Sequence, residues 1–150
     1  MTNGEIPGVV LSPLALHRDE RGWLTELFRS DSLPAGFQPA MSYLSMTLPG
    51  VTRGPHEHTG QTDCFCFVGP STFRLYLWDN RPGAVNFRCR YERDFGQLNP
   101  MAVLVPAGVV HAYKNIGREP GLVFNLPDQL YRGAGRHEPA DEIRWENDPA

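Results

Sequence analysis

Three of the five histidines in this 150-residue chain stand where imidazole chemistry could be done. In the run Gly50-Val51-Thr52-Arg53-Gly54-Pro55-His56-Glu57-His58, the two histidines are at i and i+2, so on an extended segment both rings leave on the same side. Asp63 follows a short way on, and His111 comes just after the turn sequence Pro106-Ala107-Gly108. Imidazole changes charge near neutral pH and is also the commonest metal ligand, so three rings with a carboxylate can move a proton or hold an ion. A lone histidine in a β protein is more often a hydrogen-bonded structural group; the pair with a third in such a setting argues for a shared site. His17 and His137 lie among charged residues and are expected at the surface. Cys64, Cys66 and Cys89 are an odd set, and the first two alternate with Phe65 and Phe67. They read as small buried hydrophobes, not as a disulfide framework or a soft-metal site.

Short strands must position these side chains. Fifteen glycines and fourteen prolines are spread through the chain, which breaks up long helices and favours an all-β domain. The pattern predicts strands over Gly8 to Leu11, Trp23 to Phe28, Tyr43 to Thr47, Asp63 to Val68, Thr72 to Trp78, Asn86 to Tyr91, Met101 to Val105 and Leu122 to Leu126. In Phe73-Arg74-Leu75-Tyr76-Leu77-Trp78 both faces carry large side chains, as expected of a strand inside a two-sheet jelly roll or at a dimer contact. Turns are expected at Leu48-Pro49-Gly50, Gly69-Pro70-Ser71, Asn80-Arg81-Pro82-Gly83 and Pro106-Ala107-Gly108. The tail from Arg136 onward reads equally as a short helix or an irregular strap.

The length suits one domain over residues 1–150, with one pocket carrying the function. A net charge of −3 with scattered arginines gives no footprint for nucleic acid or an anionic membrane, so the expected partner is a small molecule. No apolar run is long enough to span a bilayer, and Met1-Thr2-Asn3-Gly4-Glu5 lacks the features of a signal peptide; a cytoplasmic protein is expected.

The two histidine segments resemble the paired motifs of the cupin superfamily. Gly50, His56, His58 and Asp63 match the first motif, with Asp for the usual Glu and Gly69 one place early. Pro106, Gly108, His111 and Asn115 match the second, with Pro100 at its leading Gly position. The resemblance implies a double-stranded β-helix, the jelly-roll barrel, and a divalent metal held by His56, His58, Asp63 and His111.

A narrower resemblance spans nearly the whole chain. Asp19 to Phe28, Gly50 to His56, Trp78 to Arg81, Val105 to His111 and Ile143 to Pro149 are similar, in order and spacing, to blocks of the dTDP-4-dehydrorhamnose 3,5-epimerase family. That family is dimeric and, without metal or other cofactor, inverts carbons beside the C4 ketone of a nucleotide-linked sugar. The chemistry needs a base, a donor for the enolate oxygen and an acid on the opposite face. By resemblance His56 is the base and Asp148 orients it, while Arg21, Glu26, Arg53, His111 and Tyr113 belong to the substrate pocket. Counting along the motifs puts the family's enolate-stabilising Lys on Thr62 and its proton-returning Tyr on Phe124; its Gln and Asn fall on Met41 and Tyr43.

Three functions follow as alternatives. The favoured one is a cofactor-free homodimeric nucleotide-sugar epimerase or isomerase of altered specificity, with Tyr113, His58 or Tyr43 replacing a lost donor. The others are a metal-dependent cupin enzyme and a sugar-binding protein without catalysis.

Overall fold

The computed structural model describes residues 5–146, so Asp148 lies outside the described residues. Its strands are β1 (Val10–Pro13), β2 (His17–Asp19), β3 (Gly22–Leu24), β4 (Tyr43–Thr47), β5 (Thr52–Glu57), β6 (Asp63–Phe67), β7 (Thr72–Asp79), β8 (Arg90–Gly96), β9 (Met101–Val105), β10 (Val109–Asn115), β11 (Gly121–Asn125) and β12 (Ile143–Arg144). Two five-stranded sheets face each other, in the orders β1-β9-β6-β11-β4 and β12-β5-β10-β7-β8, and β2 pairs with β3 in a separate hairpin. All pairings are antiparallel, as in a jelly roll.

Alternation along each strand decides what enters the barrel. On β7, Phe73, Leu75 and Leu77 are fully buried while Arg74, Tyr76 and Trp78 stay half-buried. The three inward residues meet Phe65 and Phe67 of β6, Val103 and Val105 of β9, Tyr113 of β10 and Val123 of β11. Each such side chain contributes roughly 1.5–3 kcal/mol on leaving water. The opposite face of the β4 sheet makes a second core, in which Cys64 and Cys66 pack with Phe37, Ala102, Leu126 and Phe124. The thiols thus serve as small core side chains.

Two segments that the strand pattern passed over, and that only the cupin resemblance implied as neighbouring strands, are β5 and β10; they carry His56 and His111, with His58 just past the end of β5. The low apolar content of Thr52–Glu57 hid β5, although pairing with β10 and β12 fixes it between two neighbours. The strand expected over Asn86 to Tyr91 begins instead at Arg90, because Ala84 to Cys89 coils into successive turns with Arg88 at φ 62°. The tail resolves as a strap: β12 pairs with β5, bringing Arg144 opposite His56.

Candidate active site

A cavity of about 1150 Å³ opens at one end of the barrel, walled by Tyr43 and Ser45 of β4, Arg53 and His56 of β5, His58, Phe65 of β6, His111 and Tyr113 of β10, and the stretch 127–142. The register places His111 directly opposite His56 on the neighbouring strand, with their ring centroids 6.3 Å apart. A backbone irregularity lies between this pair and the pairing of Tyr113 with Arg53. Gly54 makes the close approach possible: at φ 85°, a Cβ there would sit 2.7 Å from the His111 carbonyl oxygen. That spacing excludes any other residue, so the glycine brings the two imidazole strands together.

His56 stands at the rim, between two carboxylates of the strap. Its Nε2 lies 2.8 Å from Glu146 Oε1 and its Nδ1 3.5 Å from Glu142 Oε1. The first contact is a hydrogen bond and the second is longer than one, so the geometry favours a proton on Nε2, donated to Glu146, with Nδ1 left open. Glu146 is held below the usual carboxylate range, first by its own backbone amide and then by His56. The strap is anchored on both sides. Trp145 donates its backbone N–H to the Pro55 carbonyl and its indole N–H to Glu57, which also accepts from Asn80. The carboxylate of Asp141 accepts from the Thr59 hydroxyl and from the backbone N–H groups of Thr59, Gly60 and Gln61, and it falls to about 2 because these bonds together outweigh its burial.

Deeper in, Asp63 gathers the other two imidazoles. Its Oδ2 lies 3.0 Å from His58 Nε2 and 3.6 Å from His111 Nε2. Its Oδ1 accepts from Gln61 at 3.0 Å and from Asn125 at 2.8 Å. Burial disfavours charge on His58, but the pairing with Asp63 and the bond from Nδ1 to the Asp141 carbonyl prevail, lifting it to about 9. Burial alone would raise Asp63, but His58, His111 and the bond from Asn125 together hold it below the usual carboxylate range. His111 has the opposite fate: fully enclosed and 5.1 Å from the Phe65 ring, it is pushed down to about 4 against the pull of Asp63.

The structure therefore divides the expected residues. His58, Asp63 and His111 have ligand atoms within 4.8 Å of one another and form a group able to hold a metal; His56 is outside that group, engaged by the strap. Arg53 and Tyr113 line the cavity. Arg53 donates to Thr47 Oγ1 and the Met46 carbonyl, and the Tyr113 hydroxyl is 2.9 Å from Ser45 Oγ. Arg21 is exposed in the β2–β3 turn and pairs with Asp19, and Glu26 pairs with Arg29 beside a separate groove; neither lines the main cavity.

Strand parity turns the two counted positions, Thr62 and Phe124, away from the cavity. The side chain at 62 is outside the cavity wall, with its amide bonded to Asp128, and the inward neighbour is Asp63. Phe124 likewise packs on the outer core, while Asn125 turns inward and donates to Tyr43 Oη at 2.7 Å. The sequence reading missed Glu142 and Glu146. Glu146 is two places from the carboxylate assigned to His56, and a strand pairing of the tail would have revealed it.

Comparison with known proteins agrees with this architecture. The sequence is 38% identical over 144 residues, 93% of this chain and 86% of the other, to the "Probable low-salt glycan biosynthesis epimerase Agl13" of Haloferax volcanii. It is 34% identical over 130 residues to the spore coat polysaccharide biosynthesis protein SpsL of Bacillus subtilis, covering 84% of this chain and 82% of that protein. The crystal structure of a dTDP sugar isomerase from Desulfovibrio desulfuricans G20 superposes with a TM-score of 0.85 at 24% identity, covering 96% of this chain and 87% of that one, and so shares the fold. The profile of one family matches residues 3–149, and with it the chain belongs to the dTDP-4-dehydrorhamnose 3,5-epimerase family.

Proposed function

We propose that this protein epimerises a nucleotide-linked 4-keto sugar, with His56 removing the proton beside the ketone. The observation carrying this reading is the His56 ring in the cavity wall, fixed through Nε2 by Glu146 while Nδ1 has no close hydrogen bond. A base at fixed orientation is what abstraction from carbon requires. The C–H electron pair then moves into the enolate, whose oxygen needs a positive or hydrogen-bonding neighbour. His58, kept protonated by Asp63, brings that charge in place of the family's lysine. Arg53, Arg132 and Arg136 on the cavity wall offer guanidinium groups suited to phosphate oxygens. The relatives' names support a sugar substrate, since one is called an epimerase of glycan biosynthesis. Among the described residues no helix is long and apolar enough to cross a membrane, in keeping with work in the cytoplasm on a soluble nucleotide sugar.

The test is solvent exchange. A dTDP-linked 4-keto-6-deoxyhexose incubated with the protein in deuterium oxide gains deuterium beside the ketone, and His56→Ala lowers that rate about 10²–10⁴-fold. Exchange that persists in His56→Ala refutes the assignment. A homodimer belongs to the same reading: β4 is an edge strand with Leu44, Met46 and Leu48 about half exposed, an apolar strip suited to a second copy. Sedimentation at micromolar concentration should give twice the chain mass of 16.8 kDa.

One arrangement favours a second reading, a divalent ion on His58, Asp63 and His111. Asp63 Oδ2 is buried without an aligned hydrogen bond among the described residues, and its 3.0 and 3.6 Å separations from two imidazole nitrogens suit ligands sharing one ion. Such an ion supplies Lewis-acid stabilisation of an enolate oxygen. Elemental analysis finding about one metal per chain supports this reading, and full activity in metal-free protein removes it.

A further inference from the structure

We infer that Tyr43 is the acid that returns a proton to the sugar on the face opposite His56. The inference rests on the epimerase reading above and adds the one component which that reading leaves without a residue. The position counted for the acid, Phe124, has neither a hydroxyl nor a place in the cavity wall.

Three observations lead to Tyr43. It lies on β4, in the sheet facing the one that carries His56 on β5, and both side chains line the same cavity, so they stand on opposite walls. It sits directly across the ladder from Asn125, and its oxygen accepts 2.7 Å from Asn125 Nδ2. The same Nδ2 group donates to Asp63 at 2.8 Å, so the amide is fixed between the two strands and fixes the phenol in turn. Among the described residues nothing accepts the Tyr43 hydroxyl hydrogen, which leaves it for a substrate atom. Two other phenols line the cavity: Tyr131 belongs to the stretch 127–142 and not to the sheet facing His56, while the Tyr113 ring packs 5.7–5.8 Å from Phe65, Phe67 and Phe73 and is 6% exposed, against 46% for Tyr43. Tyr43, like His56, lines the cavity while keeping part of its surface exposed.

The step balances without a further reactant. His56 takes the proton and the carbon's bonding pair becomes the enolate. The enolate carbon then forms its new C–H bond with the Tyr43 hydrogen on the other face as the ketone reforms. Imidazolium and phenolate are left, and water in the open cavity restores both. Without Tyr43 the enolate still forms, and His56, once its imidazolium hydrogen has exchanged with solvent in the open cavity, can only deliver a hydrogen to the face from which the first was taken.

Tyr43→Phe separates the two roles. In deuterium oxide, with a dTDP-linked 4-keto-6-deoxyhexose as probe, Tyr43→Phe should keep exchange at the carbon beside the ketone while inverted product falls about 10²–10⁴-fold. Tyr113→Phe should change the ratio of inversion to exchange less than about threefold, and the urea midpoint of each variant confirms that it is folded. Inversion and exchange kept in the wild-type ratio by Tyr43→Phe overturns the inference, as does loss of inversion in Tyr113→Phe alone. Wild-type protein that inverts without any exchange, or shows neither, refutes the epimerase reading itself and this inference with it. Loss of exchange in His56→Ala beside a normal ratio in Tyr43→Phe refutes only the inference.

Discussion

His56 and His111 are partners in one ladder, of the same residue type, yet one sits at the rim with 24% of its side chain exposed and the other at the floor with 6%. The rim histidine is oriented by carboxylates on a strap held by a few hydrogen bonds. The floor histidine is enclosed by aromatic rings and a buried carboxylate. Identical chemistry in adjacent positions is thus divided by burial into an accessible ring and a fixed structural one. The rim should answer to mutation in rate with little change in stability, and the floor in stability first, with rate affected through the charge that Asp63 keeps on His58.

The largest expected effect is at the floor. Asp63→Asn removes the charge facing two imidazoles and should cost about 3–5 kcal/mol of stability in urea unfolding. A loss below about 1 kcal/mol would mean that the floor does not depend on this carboxylate.

Next comes pH, measured in chelator-treated protein. His58 is raised to about 9, so its contribution is complete below its unfolded value near 6.5 and disappears as pH climbs through 9. His111 is depressed to about 4, so stability is full above 6.5 and falls as pH drops toward 4, where the unfolded chain takes up a proton that the folded one refuses. Unfolding free energy should peak near pH 6.5 and fall on each side by on the order of 3 kcal/mol, reduced on the alkaline side by the partial exposure of His58. His58→Gln should flatten the alkaline side alone, and an unchanged profile in that variant would contradict the assignment.

At the rim, Glu146→Gln should slow exchange about 10²-fold through loss of ring orientation. Its stability should stay within about 0.5 kcal/mol of wild type, because the group is exposed. If unfolding shifts and rate does not, rim and floor have been assigned the wrong way round. The smallest effect is expected of Trp145→Phe, which removes the indole donor to Glu57 and should cost about 1 kcal/mol, with a small drop in rate from a looser strap. Glu57 keeps its bond from Asn80, so a cost above about 3 kcal/mol would show that the strap is part of the core.

Much of this was legible in the chain itself. The spacing His56-x-His58 was enough to send two rings to one side of extended chain, since side chains there alternate with period two; both line the cavity, His56 from the end of β5 and His58 just past it. The strands Tyr43 to Thr47 and Met101 to Val105 were found at their true limits, since turn residues bound them. Tertiary structure decided the rest. Whether position 62 or 63, and 124 or 125, faces the cavity depends on register, and one residue's slip exchanges the two faces of a strand. Beside Thr62, which faces away, register points Asp63 at two histidines; beside Phe124, it points Asn125 at Tyr43. Glu146 reaches His56 across ninety positions of chain, a contact made by strap pairing that no local pattern encodes. The sequence determined which groups were available and on which side of each strand they could stand; the packing of two sheets and a tail determined which of them meet, because proximity between distant segments exists only once the barrel closes.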